Sequence, residues 1–128
     1  MVKQVKVEEN AVPVSFRSIA SQTILFRLVN PKRSSSKSFQ VFEKVKNSTT
    51  IQEAFSKGYR PIDYEYDTTK NNRFKKAHLL SSTQLNKDKK AMYQELLAHN
   101  AAYIKSNKVS DEIKKSQAYY SDLVSKLK

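Results

Sequence analysis

Gly58 is the only glycine in this chain of 128 residues, and it removes more architectures than any motif here suggests. Glycine reaches positive φ without steric cost and lets a ligand approach the backbone closely. Phosphate cradles need several such positions, so a P-loop, a Rossmann-type cofactor site and a glycine-flanked nucleophile elbow are all excluded. Cysteine is absent, which leaves no disulfide framework and no thiolate metal site and fits a reducing compartment. A chain of this length suits one modest domain, or a small domain with helical extensions, around a small core.

Charge then points to the surface. The chain carries 24 Lys and Arg against 12 Asp and Glu, a net charge of +12. Such a surface favours polyanions through counterion release, with an affinity that falls steeply with salt. No apolar run approaches the roughly 20 residues that span a bilayer, and Ile24-Leu25-Phe26 is cut short by Arg27. No membrane association is expected. The first 20 residues show neither a secretory signal nor a transit peptide, so cytosol or nucleus remains.

The charges divide the chain into three parts. Residues 1–29 hold four basic and two acidic side chains, residues 30–76 eleven and five, and residues 77–128 nine and five. In the first part Val5, Val7, Val12, Val14 and Phe16 alternate around Pro13, and Thr23 to Val29 is rich in β-branched and large apolar residues. Either stretch is a candidate short strand, so residues 1–29 form an arm or strand.

Three short helices are expected in the middle part. Ser36 or Ser38 caps a first helix with Phe39, Phe42 and Val45 on one face. Thr50-Ile51-Gln52-Glu53 has capping-box spacing for a second, with Ile51, Ala54 and Phe55 as its stripe and Gly58 as its left-handed end. Arg60-Pro61 starts a third, whose apolar face is Ile62, Tyr66 and Thr69, and Asn71-Asn72 ends it. Three helices in about 35 residues resemble the helix-turn-helix class, particularly a homeobox-like trihelical unit.

Read functionally, the basic residues on either side of this unit clamp phosphates: Lys32, Arg33 and Lys37 before it, Arg73, Lys75 and Lys76 after it. Lys44 and Lys46 extend the basic surface of the first helix. Arg60 lies where a base-edge or phosphate contact is reasonable, and Asn71 and Asn72 either hydrogen-bond bases or simply end the helix. Asp63, Glu65 and Asp67 argue against a conventional recognition helix, because phosphates repel them. Asp63 and Asp67 share one face, so either that helix touches DNA only at its ends or its acidic face meets a basic partner. The serine run Ser34 to Ser36 can accept phosphate, though as a cap-rich lead-in it also explains itself.

The last part predicts a helical hairpin. Asp88 to Ser106 carries Met92, Leu96, His99 and Tyr103 on one stripe and Leu97, Ala101 and Ile104 on another, breaking near Asn107. Ser110-Asp111-Glu112 then caps a helix bearing Ile113, Tyr120, Leu123, Val124 and Leu127. Tyr64, Tyr66, Tyr93, Tyr103, Tyr119 and Tyr120 sit at helical spacing and are expected as half-buried core residues, not base-stacking platforms. His78 and His99 belong to no metal-spaced cluster, and no catalytic group, cofactor, metal or small-molecule ligand is expected.

The lead Asn30-Pro31-Lys32-Arg33, the Ser-Lys-Ser cap, Thr49-Thr50 with Glu53, Gly58, and the helix bearing Asp63 and Asp67 resemble a small homeobox-like domain of protist proteins. With the Lys-, Asn-, Ser- and Tyr-rich composition, they are similar to the small homeobox-like DNA-binding accessory subunits of ciliate DNA adenine methyltransferase complexes. The resemblance covers about residues 30–76. It implies a noncatalytic nuclear subunit that helps hold duplex DNA beside larger catalytic and noncatalytic methyltransferase subunits. The sequence departs from true homeodomains in lacking Trp and in having an acidic third helix. An RNA- or ribosome-associated basic protein, and a protein-interaction adaptor without direct nucleic-acid binding, are the alternatives. The expected fold is mainly α: a trihelical unit, a C-terminal hairpin and a short N-terminal arm or strand.

Overall fold

The computed structural model describes residues 12–70 and 77–127, except for the side chains of residues 69 and 70. The fold is mainly α, as the periodicities predict, with one short two-stranded sheet among the described residues. Val5 and Val7 lie outside those residues. The alternation of Val12, Val14 and Phe16 does not make a strand. Pro13 opens a 3-10 helix, Val14–Ile19, with the Phe16 amide donating to the Pro13 carbonyl at 2.9 Å. Val14 is left 76% exposed, while Phe16 packs edge-on against Phe55 and Tyr64 with ring centroids 4.8 and 5.0 Å apart.

The second candidate strand forms. β1 (Ile24–Phe26) pairs antiparallel with β2 (Leu79–Ser81), with Leu25 opposite Leu80. All six residues are buried, so this ribbon is covered on both faces. Side chains alternate along a strand. Ile24, Phe26 and Leu79 enter one core with the three short helices; Leu25 and Leu80 enter another with the hairpin. The ribbon is therefore the partition between two helical layers.

Helix α1 (Lys37–Val45) is capped by Ser36, whose Oγ accepts the Phe39 amide at 3.1 Å, and it buries Phe42 and Val45. Helix α2 (Ile51–Ser56) begins at Thr50, whose hydroxyl accepts the Glu53 amide, while the Glu53 carboxylate accepts the amide of Thr49. The first amides of a helix have no partner inside it. Here those of Ile51 and Gln52 donate to the carbonyls of Gln22 and Ala20, at 3.1 and 2.8 Å, which ties the N-terminal segment to α2. At its other end Gly58 has φ of 110°, and the Tyr59 amide returns to the Ala54 carbonyl at 3.1 Å, closing a Schellman turn.

Helix α3 (Pro61–Glu65) starts with proline in its first turn and widens to π spacing over Tyr66–Lys70. Its orientation overturns the sequence reading. Ile62 and Tyr66, expected inside, are 68% and 44% exposed, whereas Asp63, Tyr64, Asp67 and Thr68 are buried. The end expected at Asn71-Asn72 lies outside the described residues.

The hairpin is α4 (Lys90–Ser106), led by a 3-10 turn at Lys87–Lys89, and α5 (Asp111–Lys126), capped by Ser110. They pack on each other and against the ribbon. Tyr93, Leu96 and Leu97 meet Tyr120 and Val124 in the second core, and His99 of the predicted stripe is exposed. Asn100 takes an inward place. It is 1% exposed, and its amide donates to the Phe26 carbonyl at 2.8 Å while its oxygen accepts the Leu28 amide at 2.9 Å. Asn100 so closes one end of the open edge of β1, and the Thr49 carbonyl, accepting the Ile24 amide at 3.0 Å, closes the other, where unpaired backbone groups would otherwise be costly.

Candidate nucleic-acid interface

Two segments distant in sequence form a groove of about 440 Å³: the lead into α1 and the start of α3. The lead is held in place. Asn30 donates to the Phe39 carbonyl at 3.0 Å and to the Glu43 carboxylate at 2.9 Å, and its own oxygen accepts the Lys32 amide. Lys32 then reaches back to α3. Its ammonium pairs with Asp67, lies 4.6 Å from the Tyr66 ring centroid and 5.8 Å from that of Phe42.

Asp67 also accepts the hydroxyl of buried Tyr59, so a carboxylate 1% exposed has a cation and a phenol against it. Burial still holds its carboxyl above the usual aspartate value, with Lys32 and Tyr59 pulling the other way. Burial, with Asp67 adding to it, pushes the Tyr59 phenol well above its ordinary value. At the head of α3, Asp63 accepts Nε and Nη2 of Arg60 at 2.7 and 2.9 Å and the Arg60 amide at 3.2 Å. That fork raises the Arg60 guanidinium further above its ordinary value.

These contacts correct the second of the two readings of this helix, in which its acidic face meets a basic partner. Asp63 and Asp67 are satisfied inside the chain, and only Glu65 of the three acids is exposed. The reason is geometric. Residues four apart share a face, so burying Asp63 beside Arg60 carries Asp67 inward, and Tyr64 follows into the core.

The groove gathers Lys32, Arg33 and Arg60, with Ser36 and Ser38 beside them and Tyr66 and His78 in its wall. Of these Arg33 is the exposed cation; Lys32 and Arg60 have carboxylate partners. Lys37 and Lys44 are exposed on α1. Lys46 lies elsewhere, paired with Glu43 at 3.1 Å and lining a separate hollow with Lys108. Asn71, Asn72, Arg73, Lys75 and Lys76 lie outside the described residues. The rings of Tyr64, Tyr93 and Tyr120 are buried outright, deeper than the half-buried place expected of them, and the hydroxyls of Tyr64 and Tyr93 bond to Thr83 and the Gln84 carbonyl.

Sequence reasoning missed Tyr66 and Ile62 as groove residues. Their four-residue spacing matches a core stripe, and the signal against it was that Asp63 and Asp67 have the same spacing with partners available at Arg60 and Lys32. Among the described residues no group of three His, Asp or Glu could hold a metal, and no helix is long and apolar enough to cross a membrane. Comparison with protein-family profiles, curated proteins and solved structures finds no match to this chain.

Proposed function

We propose that this protein is a noncatalytic nucleic-acid-binding subunit that grips duplex DNA through its phosphates. The observation that carries the reading is the groove joining Arg33 and Arg60 from separate segments, on a chain of net charge +12. Arg60 commits two N–H groups to Asp63 and keeps others to donate, and a guanidinium already oriented by a carboxylate loses little freedom on meeting a phosphate. Lys37 and Lys44 extend the positive surface along α1. Phosphate contacts position a protein on DNA without reading sequence, so affinity rather than site preference is the expected property. The resemblance over residues 30–76 makes the catalytic and noncatalytic subunits of a nuclear DNA adenine methyltransferase complex the partners to test, and that assignment rests on the resemblance alone.

Charge reversal tests the reading. The double variant Arg33→Glu, Lys37→Glu should weaken binding to a 20-base-pair duplex and make its dependence on salt shallower by about two phosphate contacts. Fluorescence anisotropy across a salt series measures both. Unchanged affinity and slope would leave a protein-docking adaptor as the function. Tighter binding to structured RNA than to duplex DNA at matched salt would favour an RNA-associated protein.

A further inference from the structure

The third helix is built inside out. Two carboxylates are buried and held by Lys32, Arg60 and Tyr59, while Ile62 is 68% exposed and Tyr66, with the Lys32 ammonium 4.6 Å from its ring centroid, is 44% exposed. Desolvating carboxylates and wetting large apolar side chains both oppose folding. Where local rules are broken this way, a functional constraint is the usual reason. The helix also changes to π spacing at Tyr66, and such widened turns concentrate at functional sites.

Ile62 and Tyr66 do not face open solvent alone. They line the same groove as Arg33 and Arg60, whose volume of about 440 Å³ falls within the range of small-ligand sites. A flat duplex backbone needs cations but neither a concave pocket nor an aromatic wall. An unstacked nucleotide needs all three: a cation for its phosphate, a hollow for its sugar, and a ring or alkyl surface for its base. From this geometry we infer that the groove binds one unpaired nucleotide of a nucleic-acid strand, its phosphate at Arg33 and Arg60 and its base against Tyr66 and Ile62.

The inference rests on the nucleic-acid reading and changes what the site prefers: a strand with an exposed base, such as a frayed end, a gap or a flipped nucleotide, over closed duplex. Charge complementarity selects this occupant over an apolar peptide, because Arg33 is an exposed cation in the lining and the Arg60 guanidinium, though paired with Asp63, keeps N–H groups to donate.

The test compares a 20-nucleotide single strand of mixed sequence with the duplex of equal length, by anisotropy at one salt concentration. Wild type should bind the single strand more tightly. Tyr66→Leu, which keeps bulk and removes the ring, should weaken single-strand binding by about 5-fold to 150-fold, the range for loss of one base stack, while duplex affinity changes less than about 2-fold. Tyr66→Phe should retain binding, and far-UV circular dichroism checks that each variant is folded. Ile62→Ser supplies a second, independent variant with the same expected direction. Single-strand affinity unaffected by Tyr66→Leu and Ile62→Ser, with duplex binding still sensitive to Arg33→Glu, overturns the nucleotide site and spares the duplex reading. No binding of wild type to either nucleic acid overturns both.

Discussion

The hairpin and the third helix solve the same problem with opposite faces inward. In α5 the buried stripe is Ile113, Ser116, Tyr120 and Val124, and the charges of Asp111, Glu112 and Asp122 stay in water. In α3 and its π turn the buried stripe is Asp63, Tyr64, Asp67 and Thr68, two of them carboxylates, while Ile62 and Tyr66 are exposed. The first arrangement is explained by burial of apolar area alone. The second is not, since an apolar replacement of a buried ion pair is often neutral or stabilising. The hairpin serves the fold; in the proposed reading the outward face of the third helix also serves binding.

If that contrast is right, the two regions fail differently when truncated. Lys32→Met leaves Asp67 buried without its cation and should cost about 3–5 kcal/mol at neutral pH. Pairing it with Asp67→Leu should recover only part of that loss, because both charges then leave together but the buried Tyr59 hydroxyl loses its acceptor. Leu96→Ala in the hairpin core, at 0% exposure, should cost about 2–5 kcal/mol through lost contacts and a cavity, with no second change able to restore it by charge. Urea unfolding followed by circular dichroism measures all three. A loss below about 1 kcal/mol for Lys32→Met would put the Lys32–Asp67 pair in the range of a surface ion pair and remove the contrast.

Acid sharpens the same comparison. Folding raises the Asp67 carboxyl above its ordinary value of 3.8, chiefly by burial, so the folded chain holds that proton more tightly than the unfolded chain. Its contribution to stability is fully present below 3.8 and is lost as pH rises through the folded value. Glu43 and Glu53 run the other way. Partial burial pushes both up, but Asn30 and Lys46 at the first, and Thr49 and Lys57 at the second, hold them below 4.5, so their contribution is lost as pH falls through the folded values. Both glutamates are more than a third open to solvent or close to it, and screening keeps their share small. The stability of wild type relative to Asp67→Asn should therefore decline as pH rises above 3.8. A rise instead would mean that Lys32, not burial, governs the carboxyl.

Local signals carried most of the fold. Ser36, Thr50, Ser110 and Gly58 marked helix ends because capping is a contact between near neighbours, and the structure has each of them in that role. Ile24 to Phe26 was legible as a strand from its residue types, but its partner Leu79–Ser81 was not, since three residues hold too little pattern. What failed was the face of α3. Hydrophobic periodicity assumes that apolar residues go inside, and here Lys32, 35 positions before Asp67, reverses that preference. Of the site, Lys32, Arg33 and Arg60 were legible from charge; that a single groove joins them to Tyr66 depends on how Asn30 anchors the lead to α1.

The weakest expected effect probes the one acid left outside. Glu65 lies three residues beyond Ile62 and next to Tyr66, so it shares the exposed face of α3 and repels any phosphate approaching it. Because it is solvated, the repulsion is screened, and Glu65→Gln should strengthen single-strand binding only about 2-fold to 5-fold, the scale of one exposed charge pair. Stability should hardly change, since no buried partner is lost. The matching change Asp122→Asn, at a residue paired with Lys126 on the exposed side of α5, should leave nucleic-acid affinity where it was. Equal gains at the two positions would mean that net charge alone sets affinity, and that the inverted face of the third helix has no part in binding.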